Sequence, residues 1–284
     1  VYQYLNIASI RQFIQSALLE DVGDGDHTSL SSIPHDAINK AHLLVKDEGL
    51  LAGVELSKYI FEEVDPSLKV EFLLQDGSPI KKGDVVLKVE GKAQSILTAE
   101  RLVLNCMQRM SGIATYTHAL NQLLIGTSTK LLDTRKTTPN FRLPEKWAVK
   151  IGGGVNHRYG LFDMILLKDN HIDFAGGIPQ ALQAAKNYIQ TKSLPLDIEI
   201  ETRSMDEVKQ VLLEGGVKRI MLDNMSIDEM KACVELINGK FETEASGGIT
   251  EATLREVALT GVNYISVGAL THSVKSLDLS LKAY

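Results

Sequence analysis

Lys130-Leu131-Leu132-Asp133-Thr134-Arg135-Lys136-Thr137-Thr138-Pro139 is a short apolar strand running straight into a cationic corner. The pattern recurs downstream. Asp163-Met-Ile-Leu-Leu ends in Lys168-Asp169-Asn170-His171, Ile198-Glu-Ile in Glu201, and Arg219-Ile-Met-Leu in Asp223-Asn224. Phe241-Glu-Thr-Glu-Ala ends in Ser246-Gly247-Gly248, and Tyr264-Ile-Ser-Val in Gly268-Ala269. Helical periodicity fills the intervals at residues 177–190, 205–214, 226–237 and 250–260, with Ser204, Ser226 and Thr250 as N-caps and Gly215, Gly239 and Gly261 near the ends. Strands that alternate with helices and carry polar chemistry at their ends predict an α/β barrel with its active site at the C-terminal ends of the strands. Six strands are legible rather than eight. That leaves an incomplete barrel of about six to seven strands, one of them hidden in an irregular stretch if there are seven.

The rest of the chain follows from this frame. Residues 8–20 read as a helix with Ile10, Phe13, Ile14, Ala17 and Leu18 on one face. The polar run from Glu20 to Thr28 lacks the spacing and terminal glutamate of an EF-hand and reads as a rigid loop. Residues 37–93 hold short β signals broken by turns at Gly77, Gly83 and Gly91, with a helix opening between Gly49 and Tyr59; they predict an antiparallel sheet with helices on one side. Thr98 is the expected N-cap of a long helix reaching about Leu124. Its apolar face is Leu102, Val103, Cys106, Met110 and Ile113, and Arg101, Asn105 and Gln108 form a polar stripe. The expected domains are residues 1–115, with 274–284 packing back onto them, and a barrel of residues 116–273.

Composition narrows the function. The chain has 284 residues, 44% of them hydrophobic, and a formal charge of −6 from 30 basic and 36 acidic residues. A net negative protein has no general attraction for nucleic acid, so cations gathered at strand ends imply a local anion site. Cys106 and Cys233 lack spaced partners and read as buried thiols of a reducing compartment. No apolar run approaches the ~20 residues of a membrane span, and the N-terminal stretch lacks a secretory pattern, so a cytoplasmic protein is expected.

Arg135 and Lys136 offer a planar fork and a point charge to carboxylate or phosphate. Gly152-Gly-Gly-Val-Asn-His157-Arg158 is a second cationic corner without the dinucleotide glycine pattern. Lys168 emerges at the barrel mouth. Glu201 and Asp223 suit Mg²⁺, sugar hydroxyls or acid–base work, or else ion pairing with nearby cations. Ser246, Gly247 and Gly248 before a helix, with Gly268 after the last strand, suit a phosphate. These residues imply an enzyme of polyanionic, phosphorylated substrates and leave the reaction open.

Several motifs together go further: Glu20–Thr28, Leu97–Arg101, Met110–Thr115, Asp133–Pro139, Gly152–Arg158, Leu167–His171, Leu222–Asn224 and Glu244–Gly248. In this order and spacing the chain resembles the quinolinate phosphoribosyltransferases over nearly its whole length. The resemblance implies an N-terminal open-faced α+β sandwich joined to an incomplete α/β barrel. It implies a glycosyltransferase of NAD biosynthesis that joins quinolinate to 5-phosphoribosyl 1-pyrophosphate with Mg²⁺, giving nicotinate mononucleotide, pyrophosphate and CO₂. It further implies that Arg135, His157, Arg158 and Lys168 bind quinolinate, with Lys136 beside them facing quinolinate or pyrophosphate. Arg101 would reach a neighbouring subunit's site in a homo-oligomer, a dimer at least, with a hexamer as the larger alternative. Glu201 and Asp223 would lie near ribose and its metal, and Ser246, Gly247, Gly248 and Gly268 would cradle the 5-phosphate. Lys136, Lys168, Glu201 and Asp223 are the expected catalytic set. Asn140 stands where the family usually has glycine, though Asn also tolerates left-handed angles; Lys150-Ile151 stands where Arg-Cys is frequent. The competing readings are a nicotinate phosphoribosyltransferase without decarboxylation, a phosphosugar lyase using Lys168 as a Schiff base, and a non-enzymatic phosphate-binding protein.

Overall fold

The computed structural model describes residues 4–284. Val1–Gln3, the start of the stretch read for a secretory signal, lie outside the described residues. The chain forms two compact units. The first runs to His118 and takes in Lys136–Gly153 and Ala269–Tyr284; the second comprises Ala119–Arg135 and Gly154–Gly268.

In the first unit, α1 (Ile7–Val22) starts at Asn6, whose side chain accepts the Ser9 N–H at 2.9 Å. The polar run after it is a helix junction: Asp26 caps α2 (His27–Ser32) by accepting the Ser29 N–H at 3.0 Å. Then come β1 (Ile38–Val45), β2 (Gly49–Leu50), α3 (Val54–Val64), β3 (Lys69–Phe72), β4 (Pro79–Ile80) and β5 (Val85–Lys92). Every second residue of β1 from Ala41 is buried, the period-two signature of a half-covered sheet. The sheet is antiparallel, with β1 between β5 and the C-terminal strand Leu279–Ala283, so the tail packs back as expected. β2 and β4 form a separate two-stranded sheet that the sequence did not announce.

The long helix α4 (Ala93–Leu123) follows β5 directly. Thr98 is therefore inside it rather than at its N-cap; its hydroxyl donates to the Gln94 carbonyl at 2.9 Å. The expected apolar face, Leu102, Val103, Cys106, Met110 and Ile113, is buried. The polar stripe divides. Arg101 and Asn105 are exposed, whereas Gln108 donates to the Leu279 carbonyl at 2.8 Å and holds the C-terminal strand.

The domain boundary differs from expectation in one segment. Lys136–Gly153, expected within the barrel, groups with the first unit. Its helix α5 (Arg142–Ile151) contributes Glu145, whose side chain is fully buried and pairs with Arg109 of α4 at 3.0 Å. Arg109 also donates to the Val274 carbonyl at 2.7 Å and to the Thr271 carbonyl, so one guanidinium ties three segments. The backbone after Val274 crosses α4 in close contact. A Cβ at Gly112 would lie 2.2 Å from the Lys275 carbonyl oxygen. Gly112→Ala is expected to cost ~1–3 kcal/mol through backbone displacement, despite the better helix propensity of alanine. Calorimetry should show a melting temperature lower by roughly 2 °C or more; an unchanged value would show that the crossing yields freely.

The second unit carries six parallel strands: β6 (Lys130–Leu132), β7 (Ile165–Leu167), β8 (Ile198–Thr202), β9 (Arg219–Asp223), β10 (Glu242–Ser246) and β11 (Tyr264–Ser266). Their order is β6-β11-β10-β9-β8-β7. Helices α6 (Asp169–Ala175), α7 (Ile178–Lys192), α8 (Met205–Glu214), α9 (Ile227–Ile237) and α10 (Glu251–Ala258) intervene. This is an incomplete α/β barrel. The irregular stretch holds the remnant of a seventh strand: Val155 bridges Leu132 in parallel, its N–H donating to the Leu131 carbonyl at 2.8 Å. Ser204 and Ser226 cap α8 and α9 through the Glu207 and Glu229 N–H groups, and Thr250 precedes α10.

Candidate active site

The chemistry gathers at the carboxyl ends of the barrel strands. Asp133 follows β6 directly, is fully buried, and accepts the His157 N–H at 2.8 Å and the Asn156 side-chain amide at 2.6 Å. It thereby fixes the Gly152–Arg158 corner beside Arg135. Arg158 donates to the Met164 carbonyl at 3.1 Å, and Asp163 gathers the Tyr159 and Gly160 N–H groups at 2.7 and 2.8 Å. Asp163 is thus the anchor of this loop rather than the start of β7.

Arg135 and Arg158 are the central pair. Burial, and next the charge of Arg135, hold the Arg158 guanidinium below its ordinary pKa. The Nε atoms of both arginines are buried and have no hydrogen-bond acceptor. A buried donor without a partner costs ~1–3 kcal/mol, and more when charged. Two of them on neighbouring like charges form a site whose own cost falls when an anion enters.

Across the mouth, burial and then the charge of Asp223 push the Glu201 carboxyl upward, while Lys168 pulls it down. Lys168, exposed, opens α6, where its N–H donates to the His171 ring at 3.0 Å. The structure therefore brings Lys168, Glu201 and Asp223 together, as expected. Two neighbouring carboxylates are suitable donors for a hard divalent cation, which Mg²⁺ sites commonly complete with substrate phosphates.

After β10, Ser246 leads into Gly247 and Gly248, with φ of 93° and 61°. Gly247 is required twice over. Its φ lies in the left-handed region, and a Cβ there would meet the Asn224 side chain at 2.3 Å. Gly268 lies two residues past β11.

In the first unit, the loop after Arg135 is pinned by hydrogen bonds. Thr271 donates to the Lys136 carbonyl at 2.9 Å, Glu145 accepts the Thr138 N–H and hydroxyl at 3.0 Å each, and Arg142 donates to the Thr137 hydroxyl at 2.9 Å. Lys136 is exposed, and Asn140 has a φ of 62°, the left-handed geometry expected of it.

His157 is placed differently from the other cations: its side chain is only 6% exposed. Its Nε2 lies 3.1 Å from Glu199 and 3.4 Å from Glu244, and Arg219 stands 3.5 and 3.1 Å from the same two acids. Burial opposes a charged ring, but the two acids outweigh it and would push its pKa up to about 9. The Arg158 N–H opposes that in turn by donating to Nδ1 at 2.7 Å, because a nitrogen accepting that bond has no room for a proton. The bond geometry decides, and the ring is neutral with its proton on Nε2. Glu199, Arg219 and Glu244 were missed in the sequence, although a signal was present. Glu199 and Glu201, Arg219 and Asp223, and Glu244 and Ser246 are spaced by even numbers in barrel strands, so each pair shares a face. The deep charges lie under the site residues already read from the strand ends.

Comparisons with known proteins place the chain in a family. Residues 26–111 match the quinolinate phosphoribosyl transferase N-terminal domain, and residues 113–282 match the C-terminal domain. The chain belongs to the quinolinate phosphoribosyltransferase family. Family members similar to it include the mitochondrial quinolinate phosphoribosyltransferase [decarboxylating] 2 of Nicotiana glauca, 49% identical over 96% of this chain and 82% of the relative. The chloroplastic nicotinate-nucleotide pyrophosphorylase [carboxylating] of Arabidopsis thaliana is 50% identical with the same coverage. The solved nicotinate-nucleotide pyrophosphorylase of Francisella tularensis superposes with a TM-score of 0.88 at 37% identity, over 97% of this chain and 96% of that one.

Proposed function

We infer that this quinolinate phosphoribosyltransferase joins quinolinate to 5-phosphoribosyl 1-pyrophosphate and releases pyrophosphate and CO₂, forming nicotinate mononucleotide for NAD synthesis. The observation that carries the substrate assignment is the pair of unsatisfied, buried guanidinium Nε–H groups on Arg135 and Arg158. Quinolinate brings two carboxylates to be read by these arginines and Lys168. Ser246, Gly247, Gly248 and Gly268 take the 5-phosphate through backbone N–H groups, and Lys136, next in the chain to Arg135, serves the pyrophosphate. Glu201 and Asp223 face the ribose, where their negative charge favours the oxocarbenium character that C1 acquires as pyrophosphate leaves. They are also the residues that would hold Mg²⁺, which when bound neutralises charge on the pyrophosphate. Once ribosylated, the pyridine nitrogen is cationic, its charge stabilises the electron pair left on C2 when the carboxylate departs as CO₂, and C2 then takes a proton from solvent. Decarboxylation then needs orientation from the arginines and no further organic cofactor.

A nicotinate enzyme would have no use for a second buried carboxylate site. Turnover of quinolinate and nicotinate under identical conditions tests this. Sites that pair with a substrate group reject analogues lacking it by up to ~10⁴-fold. Quinolinate should be consumed with negligible turnover of nicotinate; comparable rates would overturn the assignment. The lyase reading loses its support because Lys168 is exposed, whereas a Schiff-base lysine is activated by desolvation.

Arg101 is exposed on α4, a suitable position for completing the site of a second copy. The oligomer, a dimer at least, rests on this. Inactive Arg101→Ala and inactive Lys136→Ala proteins, mixed under conditions of subunit exchange, should regain part of the activity. Confirmed exchange with no recovery would sink the shared site. No helix among the described residues is long and apolar enough to cross a membrane. The two cysteines are free and buried, which suits a reducing compartment such as the cytoplasm, although the family includes proteins named for organelles.

A further inference from the structure

The Glu199–Arg219–Glu244 cluster lies deep among the barrel strands and is not used by the reaction as derived. It is built rather than incidental. Glu199 and Glu244 are fully buried, yet both lie within 3.5 Å of Arg219 and of the His157 ring. Arg219 is anchored further by Glu242 at 3.1 Å and by the Tyr264 ring, 4.2 Å from its guanidinium carbon. His157, Glu199 and Glu244 would also suit a metal ion by ligand type and spacing. Arg219 already supplies the positive charge there, and a divalent ion beside it would add like charge in a buried place.

We propose that this cluster is a positioning device: it holds the His157 ring from below, so that Nδ1 accepts the Arg158 N–H and sets the Arg158 guanidinium for the quinolinate carboxylate. The assignment rests on the quinolinate reading above and changes the role of His157 within it. Nδ1 accepts the Arg158 backbone N–H, and Nε2 is buried 3.1 and 3.4 Å from the two acids. Nδ1 is occupied and Nε2 is shut away from solvent, which leaves substrate no open nitrogen on the ring. The acids serve a second purpose. Glu199 lies close enough to Arg158 for its charge to favour the guanidinium, against the repulsion from Arg135. Glu199 thus offsets part of the repulsion between the two arginines that read the substrate.

Two substitutions separate this role from direct substrate contact. His157→Asn keeps an acceptor at the Nδ1 position and loses the Nε2 end. A short side-chain oxygen takes the next residue's N–H elsewhere in this chain, as Asn39 does from Lys40 at 2.8 Å. His157→Gln keeps a donor at the Nε2 position and loses the Nδ1 acceptor. The expected result is a quinolinate KM raised a few-fold in His157→Asn, which keeps the bond to Arg158 but loses the hold from below, and about tenfold in His157→Gln, which loses the bond itself. The KM for phosphoribosyl pyrophosphate should stay unchanged in both. The reverse order, with Gln tolerated and Asn not, would assign Nε2 to the substrate and overturn the proposal. Should either variant fail to fold, neutron diffraction of the wild-type enzyme decides the matter. A single deuteron on Nε2, none on Nδ1, and an unmoved ring with quinolinate bound are expected; a deuteron on Nδ1, or a ring turned to quinolinate, would contradict it. The free-enzyme result tests the positioning role even if quinolinate proves not to be the substrate, so the two failures are distinguishable.

Discussion

Glu201→Gln and Asp223→Asn are each expected to slow the single-turnover reaction by about 10²-fold, while quinolinate affinity stays within a few-fold of wild type. The amides preserve shape and remove charge. Glu201 is nearly fully buried, and burial together with the Asp223 charge already disfavours its ionised form. A Glu201 carboxylate disfavoured by burial and by its neighbour is relieved when positive charge develops beside it. The contribution of the pair therefore grows toward the transition state rather than on binding. The double variant should fall short of the product of the two single losses, because both acids act on one sugar and one metal. Single-turnover measurement at saturating Mg²⁺ separates the chemical step from product release. Near-normal rates in both variants would return the pair to ion pairing with Lys168.

Arg158→Ala should weaken quinolinate binding by roughly 30-fold or more, the equivalent of ~2–5 kcal/mol for a buried charge-assisted contact. The loss has two parts. The substrate carboxylate loses a donor, and Arg135 and Lys168 are left to hold the anion. Burial already lowers the cost of discharging Arg158, so its charge is expensive to keep without an anion and correspondingly strong with one. Binding of phosphoribosyl pyrophosphate should change little, since its contacts are assigned to Lys136 and to the backbone after β10 and β11. Titration calorimetry reads both ligands separately; unchanged quinolinate affinity would remove Arg158 from the site.

The barrel was legible because its strands are short apolar runs that end abruptly in charge. Leu131-Leu132 before Asp133 and Ile165–Leu167 before Lys168 needed no tertiary information. The seventh strand was not legible, because a single bridge at Val155 leaves no periodic trace. The long helix was placed five residues late: Thr98 has the chemistry of an N-cap, but the chain turns helical at Ala93, directly after β5, and the Thr98 hydroxyl bonds back within the helix. Lys136–Gly153 was assigned to the barrel because it lies between barrel strands, whereas the buried Arg109–Glu145 pair, 36 residues apart in sequence, decides its true association. The rim of the site could be read from strand ends alone. Its foundation was not read: even spacing puts Glu199, Arg219 and Glu244 on the faces of Glu201, Asp223 and Ser246, but which charges meet across strands depends on the register. They become intelligible only when the parallel register sets Glu199 beside Arg219.

The central claim is that this site ribosylates and decarboxylates the same molecule. Quinolinate labelled in its 2-carboxylate, incubated with phosphoribosyl pyrophosphate and Mg²⁺, tests it directly. Labelled CO₂, pyrophosphate and unlabelled nicotinate mononucleotide should appear in equal amounts, and no CO₂ should form when phosphoribosyl pyrophosphate is left out. Label retained in a ribosylated product, or CO₂ released without the sugar donor, would contradict the account.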